Sequence, residues 1–338
     1  MNGAPEISVV MANYNTGSYL EPAIRSLQSQ SLGSWELILV DDASTDGSGT
    51  RAEELAGADE RIRVVCLPAN SGPAAARNCA LALARGRWIA VFDGDDIMQP
   101  TRLEVLMTRA RADRAAIVAD NMLEFSKNRR PKLLFPRSWS RRPRWIGLAE
   151  FIDSNRLHTR VRSLGYLKPL IDAEALRRLS IRYDEQLRIG EDYDFMARLL
   201  ASGLNLRLEP QPLYCYRRHP NSISYRLRHD DIVRLIEAEE RFDRSVFAPT
   251  PATLRAMQRR KRSLKTMLHY DGVVAAIKRG HYATATVSIL AMPDVWPMLM
   301  QPIAARVRRL RVPQRTASRT VPAGAEQPVI ASAQPSRS

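Results

Sequence analysis

The stretch VFDGDDIMQP at residues 91–100 sets three carboxylates, Asp93, Asp95 and Asp96, within four positions behind an apolar run. Packed carboxylates repel one another unless a cation or a set of donors compensates them, so the pattern suits a site for a hard divalent ion. The same residues also fit a solvated loop with an N-cap Asp opening the next helix. Two other acidic clusters stand at DDASTDGS (41–48) and RIGEDYDF (188–195). The second of these also meets the pattern of an acidic helix N-terminus favoured by the dipole.

The elements that must hold these clusters are legible nearby. ISVVMA (7–12), WELILV (35–40), IRVVCL (62–67) and RWIAVF (87–92) are short, apolar and rich in β-branched residues, as expected of strands covered on both faces. Between them run helical patterns: Leu20, Ile24 and Leu27 share a face, with Pro22 in the first turn, and PAAARNCALALA (73–84) starts on Pro73. Repeated β-α units predict an α/β fold with a mostly parallel central sheet and helices on both faces. Ligands of such sheets sit beyond the carboxyl ends of the strands, where NYN (13–15), DDASTDGS and DGDD all fall. No G-x-G-x-x-G follows the first strand and no G-x-x-x-x-G-K-[ST] occurs, which disfavours dinucleotide-binding and P-loop folds.

With 338 residues and 45% hydrophobic content, the chain can bury a large core, enough for one big domain with appendages. Three separated cysteines, Cys66, Cys79 and Cys215, support neither a disulfide framework nor a zinc ribbon, and point to a reducing compartment. The N-terminus lacks the pattern of a cleaved secretory signal, and no run of about 18 apolar residues predicts a spanning helix. Charge is unevenly placed. Residues 1–120 carry 11 Lys and Arg against 16 Asp and Glu, a balance of −5, while the remainder carries +20 of the total +15. That asymmetry fits a phosphate-rich partner, either nucleic acid or an anionic membrane surface, or a well-solvated basic protein.

Taken together, SVVMANYN, ELILVDDASTDGS, NSGPAAARNCALALARGRWIAVFDGDD and GEDYDF resemble the inverting GT-A glycosyltransferases of the large bacterial family, family-2 type, that makes polysaccharides. The resemblance covers roughly residues 6–225, with the motifs in the family's order. It implies that Ala12 and Tyr14 line a nucleobase pocket, that Asp42 accepts a hydrogen bond from a uracil-type edge, and that Asp41 positions the turn. Arg77 would approach the diphosphate. Asp93 would contact ribose and help hold the metal, Asp95 would coordinate Mg²⁺ or Mn²⁺, and Gly94 would let the backbone come close to the ligand. Asp96 would start a helix or support its neighbours. In the E-D motif Asp192 is the base, with Glu191 orienting the acceptor and Asp194 structural. YCYRRHPNSIS (214–224) resembles the segment that closes over the diphosphate, so Arg217, Arg218 and His219 become phosphate contacts and His219 a metal neighbour. GYLKPLIDAEAL (165–176) resembles the acceptor-side strand and helix.

The expected organisation is a nucleotide-sugar-binding half at 1–120, an acceptor-binding and base-bearing half at 121–225, a helical, basic, interfacial extension at 226–312 and a disordered tail at 313–338. KNRRPKLLFPRSWSRRPRW (127–145) and RAMQRRKRSLKTM (255–267) interleave basic and apolar residues, which suits RNA phosphates or anionic lipid with Trp139 and Trp145 at headgroup level. SILAMPDVWPMLMQPIAARVRRLRV (288–312), interrupted by prolines, suits an interfacial segment. The expectation is a cytoplasmic enzyme, peripheral on the inner face of the membrane, that moves a sugar from a nucleotide-sugar donor, chiefly a UDP-sugar, to a glycan or lipid-linked saccharide. A nucleic-acid-binding protein would leave the acidic strand exits without a purpose. In a haloacid-dehalogenase-type phosphatase, D-x-D would follow the first strand, whereas here it follows the fourth.

Overall fold

A computed structural model describes residues 3–127, 129–157, 163–220, 227–292 and 295–296. The first four expected strands form as β1 (Ile7–Asn13), β2 (Trp35–Asp41), β3 (Ile62–Cys66) and β4 (Trp88–Val91). β2 and β4 are buried throughout, whereas β3, at the sheet edge, is half-exposed. The connecting helices are α1 (Leu20–Gln28), which buries Leu20, Ile24 and Leu27, then α2 (Ser48–Gly57) and α3 (Pro73–Leu83). Past the acidic loop the chain enters a two-residue strand, β5 (Ile97–Met98), before α4 (Arg102–Asp113). Asp96 therefore starts no helix; a strand that must pair next to it pulls the chain into extended form.

The rest alternates less regularly: β6 (Ile117–Ser126), β7 (Arg129–Leu133), β8 (Arg144–Ile146), α5 (Leu148–Ser154), β9 (Leu170–Asp172), α6 (Ala173–Leu179), α7 (Glu191–Ala201) and β10 (Leu206–Arg217). The main sheet runs β3-β2-β1-β4-β9-β6-β10-β5, with β7 added on β6 and β8 on β10. β1 to β4 are parallel, and their register sets Asn13 beside Asp41 and Val10 beside Val91, so their exits share one edge. β9 runs antiparallel to both β4 and β6. Its entry therefore lies at the edge where β4 leaves. β10 runs parallel to β6 but antiparallel to β5, which brings residues 214–217 alongside the acidic loop.

Three helices follow: α8 (His229–Ser245), α9 (Pro251–Lys278) and α10 (Tyr282–Ala291). The chain through Val295 makes one compact unit, to which α8 and α9 belong. Arg260 of α9, expected on a basic surface, is buried instead: it donates to Glu239 Oε2 at 2.7 Å, lies 3.5 Å from the Tyr193 ring centroid and bonds the Asn155 carbonyl. Trp139, expected at a lipid headgroup, stacks on Phe135 with centroids 5.5 Å apart and is covered by Arg144. Trp145 does stand 46% exposed. Arg260 is drawn inward by a buried carboxylate and a ring, and Trp139, half-buried, packs its face on Phe135. Most of 288–312 and all of 313–338 lie outside the described residues.

Arg260→Met tests how firmly the helices are fastened. Removing one partner leaves Glu239 buried with, among the described residues, only the Tyr193 hydroxyl at 3.3 Å, so the variant should lose about 3–5 kcal/mol in urea unfolding monitored by circular dichroism.

Candidate active site

At the carboxyl edge of β1 and β2, side chains fix the turns before any ligand is considered. Asp41 Oδ1 accepts from Asn13 Nδ2 and, at 2.6 Å, from the Ser44 hydroxyl, while Oδ2 accepts the Ser44 N–H at 3.0 Å. It positions the turn, as expected. Gly49 passes so close that a Cβ there would stand 2.9 Å from Asp41 Oδ2. Asp42 reaches the loop before α3: Oδ1 accepts the Ser71 N–H at 2.7 Å, and Oδ2 accepts the Gly72 N–H at 2.8 Å and Asn70 Nδ2 at 3.0 Å. Burial pushes its carboxyl up, and the two backbone donors work against that. Ala12, next to the last residue of β1, is half-buried, and Tyr14, just beyond the strand, is 45% exposed. Its ring is therefore free to stack.

The D-x-D segment is held from two sides. Asp96 is fully buried; Oδ2 accepts the Tyr214 hydroxyl at 2.7 Å and Oδ1 the Arg217 N–H at 2.6 Å. Burial, then the charges of Asp95 and Asp93, push its carboxyl well above the usual range. The Tyr214 oxygen also accepts the Asp93 N–H at 3.2 Å. Arg217 Nε donates to the Asp95 carbonyl at 2.7 Å, and its guanidinium lies against the Tyr19 and Phe125 rings. His219 Nε2 meets Asp95 Oδ2 at 2.8 Å, while its Nδ1 is buried with no partner among the described residues. Arg218 pairs with Glu124 at 3.5 Å, away from the acidic loop. A Cβ on Gly94 would meet Leu20, Thr16 and Met11 at 3.4–3.6 Å, ordinary contact distances.

Across from this segment, α7 presents Glu191 and Asp192 in its first turn, entered through Gly190 at φ 83°. α8 backs that entry: a Cβ on Gly190 would fall 2.6 Å from Leu235 Cδ2, and Arg188 pairs with Asp231. Asp194 bonds Arg198 at 2.6 Å, a structural role as expected.

Two buried cations tie the halves together. Arg77 gives Nη2 to Asp93 Oδ1 at 2.8 Å and Nη1 to Glu191 Oε1 at 2.8 Å, with Asp192 Oδ1 at 3.3 Å. Its guanidinium, expected at a diphosphate, is thus committed to three carboxylates of the protein. Lys168 sets its ammonium 2.6 Å from Asp93 Oδ2 and 2.7 Å from Asp192 Oδ2. Burial alone would raise the Asp93 carboxyl, but the Lys168 and Arg77 charges outweigh it and hold Asp93 below the ordinary carboxylate range. Glu191 goes the other way, raised by burial and by the Asp192 charge. Lys168 is absent from the sequence-based site. The signal was there in GYLKPLID, where a lysine stands inside an apolar run; such residues are almost never fully buried unless paired.

Asp93, Asp95 and Asp96 offer carboxylate oxygens within 4.8 Å of one another. Both Asp96 oxygens accept within the buried interior and both Asp93 oxygens already meet Arg77 and Lys168, so Asp95, with the partly exposed Asp93 beside it, is the carboxylate most open to an ion. No lysine or arginine side chain pairs with the Asp95 carboxylate among the described residues; its neighbour is His219 Nε2, at 2.8 Å. Hard oxygen donors with one imidazole fit Mg²⁺ or Mn²⁺.

Comparisons with known proteins show the family and the fold. The model of Glycosyl transferase family 2 matches residues 8–165. The chain is 37% identical over 306 residues to succinoglycan biosynthesis protein ExoO of Rhizobium meliloti (strain 1021), covering 90% of this chain and 87% of that relative. The chain belongs to glycosyltransferase family 2. A second family member, succinoglycan biosynthesis protein ExoU of the same strain, is 33% identical over 247 residues, 72% of this chain and 70% of that one. Among solved structures, Staphylococcus aureus TarS 1-349 in complex with UDP-GlcNAc superposes with a TM-score of 0.60 at 18% identity, covering 79% of this chain and 71% of that one. The mannosyltransferase PcManGT from Pyrobaculum calidifontis, in complex with GDP-Man and Mn²⁺, gives 0.56 at 19%, covering 92% and 88%. This family 2 glycosyltransferase therefore has the GT-A fold expected from its motifs.

Two variants separate the parts of this site. In calorimetry with UDP, Asp95→Ala should abolish the gain in affinity produced by Mn²⁺, whereas Asp42→Ala should weaken binding with or without metal. Parent-like affinity of both variants in Mn²⁺ would place the nucleotide elsewhere.

Proposed function

We propose that the chain transfers a sugar from a nucleotide-sugar, chiefly a UDP-sugar, to a hydroxyl of a glycan acceptor with inversion at the anomeric carbon. The observation that carries this reading is the placement of Asp192 opposite the acidic D-x-D segment, with Lys168 bridging Asp192 to Asp93. Ala12, Tyr14 and Asp42 bind the nucleoside: the exposed Tyr14 ring stacks, and Asp42, whose two oxygens offer about four acceptor positions, has one left after three donors. Asp93 and Asp95 hold the divalent ion, with His219 beside them. When bound, such an ion supplies the positive charge that a departing nucleoside diphosphate needs. Arg217 keeps the loop in place through the Asp95 carbonyl. Arg77 balances the carboxylates on which donor and acceptor meet, and Glu191 orients the acceptor.

Asp192 takes the proton as the acceptor oxygen attacks. Direct displacement by that hydroxyl, with no carboxylate nucleophile in between, inverts the anomeric centre. That the relatives ExoO and ExoU are named for succinoglycan biosynthesis supports a glycan acceptor, and the sugar nucleotides named with the solved neighbours support this donor class. The acceptor is a lipid-linked saccharide, reached from the inner face of the membrane. No helix among the described residues is long and apolar enough to cross a membrane. α10 has no charged side chain yet exposes Tyr282, Val287 and Leu290, and Lys278 and Arg279 stand exposed just ahead of it.

Thermal-shift screening of UDP-, GDP- and dTDP-sugars with and without Mn²⁺ should find the donor, since a ligand of the native state raises its melting temperature. With that donor, Asp192→Asn should turn over about a hundredfold more slowly or worse while still binding nucleotide. Near-parental turnover would move the base to another residue.

The membrane reading makes its own demand. Each basic residue near an anionic surface contributes about 1 kcal/mol, and that attraction is screened over about 10 Å at 0.1 M salt. The chain should sediment with anionic but not neutral liposomes, detach in high salt, and bind less after truncation near residue 285 or loss of Arg and Lys within 127–144. Tight binding to RNA in physiological salt, with anionic liposomes ignored, would reverse the assignment.

A further inference from the structure

We infer that Lys168 is a positioning residue for the transfer step, holding the Asp192 carboxylate in line with the donor site by bridging it to Asp93. This rests on the reading of Asp192 as base. Three features of the molecule lead to it.

The first is how firmly Lys168 is placed. It precedes β9, whose antiparallel course delivers its entry to the edge where β4 exits. The Lys168 carbonyl accepts from Arg102, itself buried against Asp120 with Nε 3.0 Å from Oδ1, and the next carbonyl, of Pro169, accepts the Val91 N–H at 3.0 Å. Val91 stands two residues before Asp93. Main chain on one side and carboxylates on the other thus set the ammonium relative to the D-x-D loop.

The second is the division of labour between the two cations. Arg77 makes its shorter bonds to Asp93 and Glu191, both 2.8 Å, and stands 3.3 Å from Asp192. The closer partner of Asp192 is Lys168, at 2.7 Å. Without it the base carboxylate would keep one long contact on Oδ1 and be free to rotate.

The third is that stability alone gives poor grounds for a lysine here. Its side chain is 5% exposed, and a whole set of buried ionic groups exchanged for apolar ones of similar volume is often as stable or more so, whereas losing the lysine alone leaves Asp93 and Asp192 uncompensated. Geometry gives better grounds, because a displacement of about 1 Å at a reacting group can lower a rate about a hundredfold. Bonded to Lys168 on one side, the Asp192 carboxylate still offers its remaining lone pairs to an acceptor hydroxyl.

The test is a double-mutant cycle of Lys168→Met and Asp192→Asn, read by nucleoside diphosphate release from the donor that most stabilises the parent, with UDP and Mn²⁺ calorimetry alongside. Lys168→Met should lower kcat about a hundredfold, with donor KM and UDP affinity changed within about threefold. On the Asp192→Asn background the same change should cost no more than about threefold. Ethylammonium should restore part of the turnover of Lys168→Ala, which a purely packing role would not allow. An equal loss on both backgrounds, or a loss of UDP affinity matching the loss of turnover, overturns the proposal and assigns Lys168 to the donor site. Should Lys168→Met not fold, Lys168→Gln runs the same cycle. Failure of the base reading itself shows separately, as near-parental turnover of the Asp192→Asn single variant.

Discussion

The compensation of clustered carboxylates by Arg77 and Lys168 is the constraint on which the site depends. Asp93, Glu191 and Asp192 come from two distant parts of the chain and meet in a place with little water. Unit charges about 4 Å apart interact by about 4 kcal/mol at an effective dielectric of about 20, so an uncompensated set would open the fold there. Cations that answer the repulsion also fix the distance between the donor half and the base half. Asp95, which neither cation reaches, is left with charge to offer an ion.

Much of this was legible in the sequence, because the parallel βα units announce themselves. Four strand cores, two helix starts and the strand exits carrying Asn13, Asp41, Asp42 and Asp93 all lie near where period and punctuation put them. Reading only exits had a cost. β9 enters at that same edge, so Lys168, two residues before it, shares a place with residues after β4, and an antiparallel insertion into a parallel sheet leaves no periodic mark. Arg77 is a different case: its helix lies where expected, but its contacts with three carboxylates depend on Glu191 and Asp192, more than a hundred residues away.

The basic second half shows where charge counting stops. RAMQRRKRSLKTM reads as a solvated or lipid-facing run, yet Arg260 within it is buried between Glu239 and the Tyr193 ring. A helix of 28 residues has inner and outer faces, and composition does not say which arginine falls on which. Tertiary partners decide, through Glu239 on α8 and the Asn155 carbonyl after α5.

That arrangement bears on how pieces of related enzymes can be exchanged. The turn entering α7 is shaped by Leu235 against Gly190 and by Asp231 against Arg188, and the helix is gripped from behind by Arg260 through Tyr193. A chimera joined between β10 and α8 would set one parent's base-bearing helix on another parent's support, mismatching buried charge with buried charge. A junction at Gly147, ahead of α5, keeps α5, α7, α8 and α9 from one source, and asks the two parents to agree on main-chain strand pairing, on the carboxylates that Arg77 and Lys168 join, and on the hold that Tyr214, Arg217 and His219 have on the acidic loop. Acceptor preference, if it resides in the second half, would travel as that whole block.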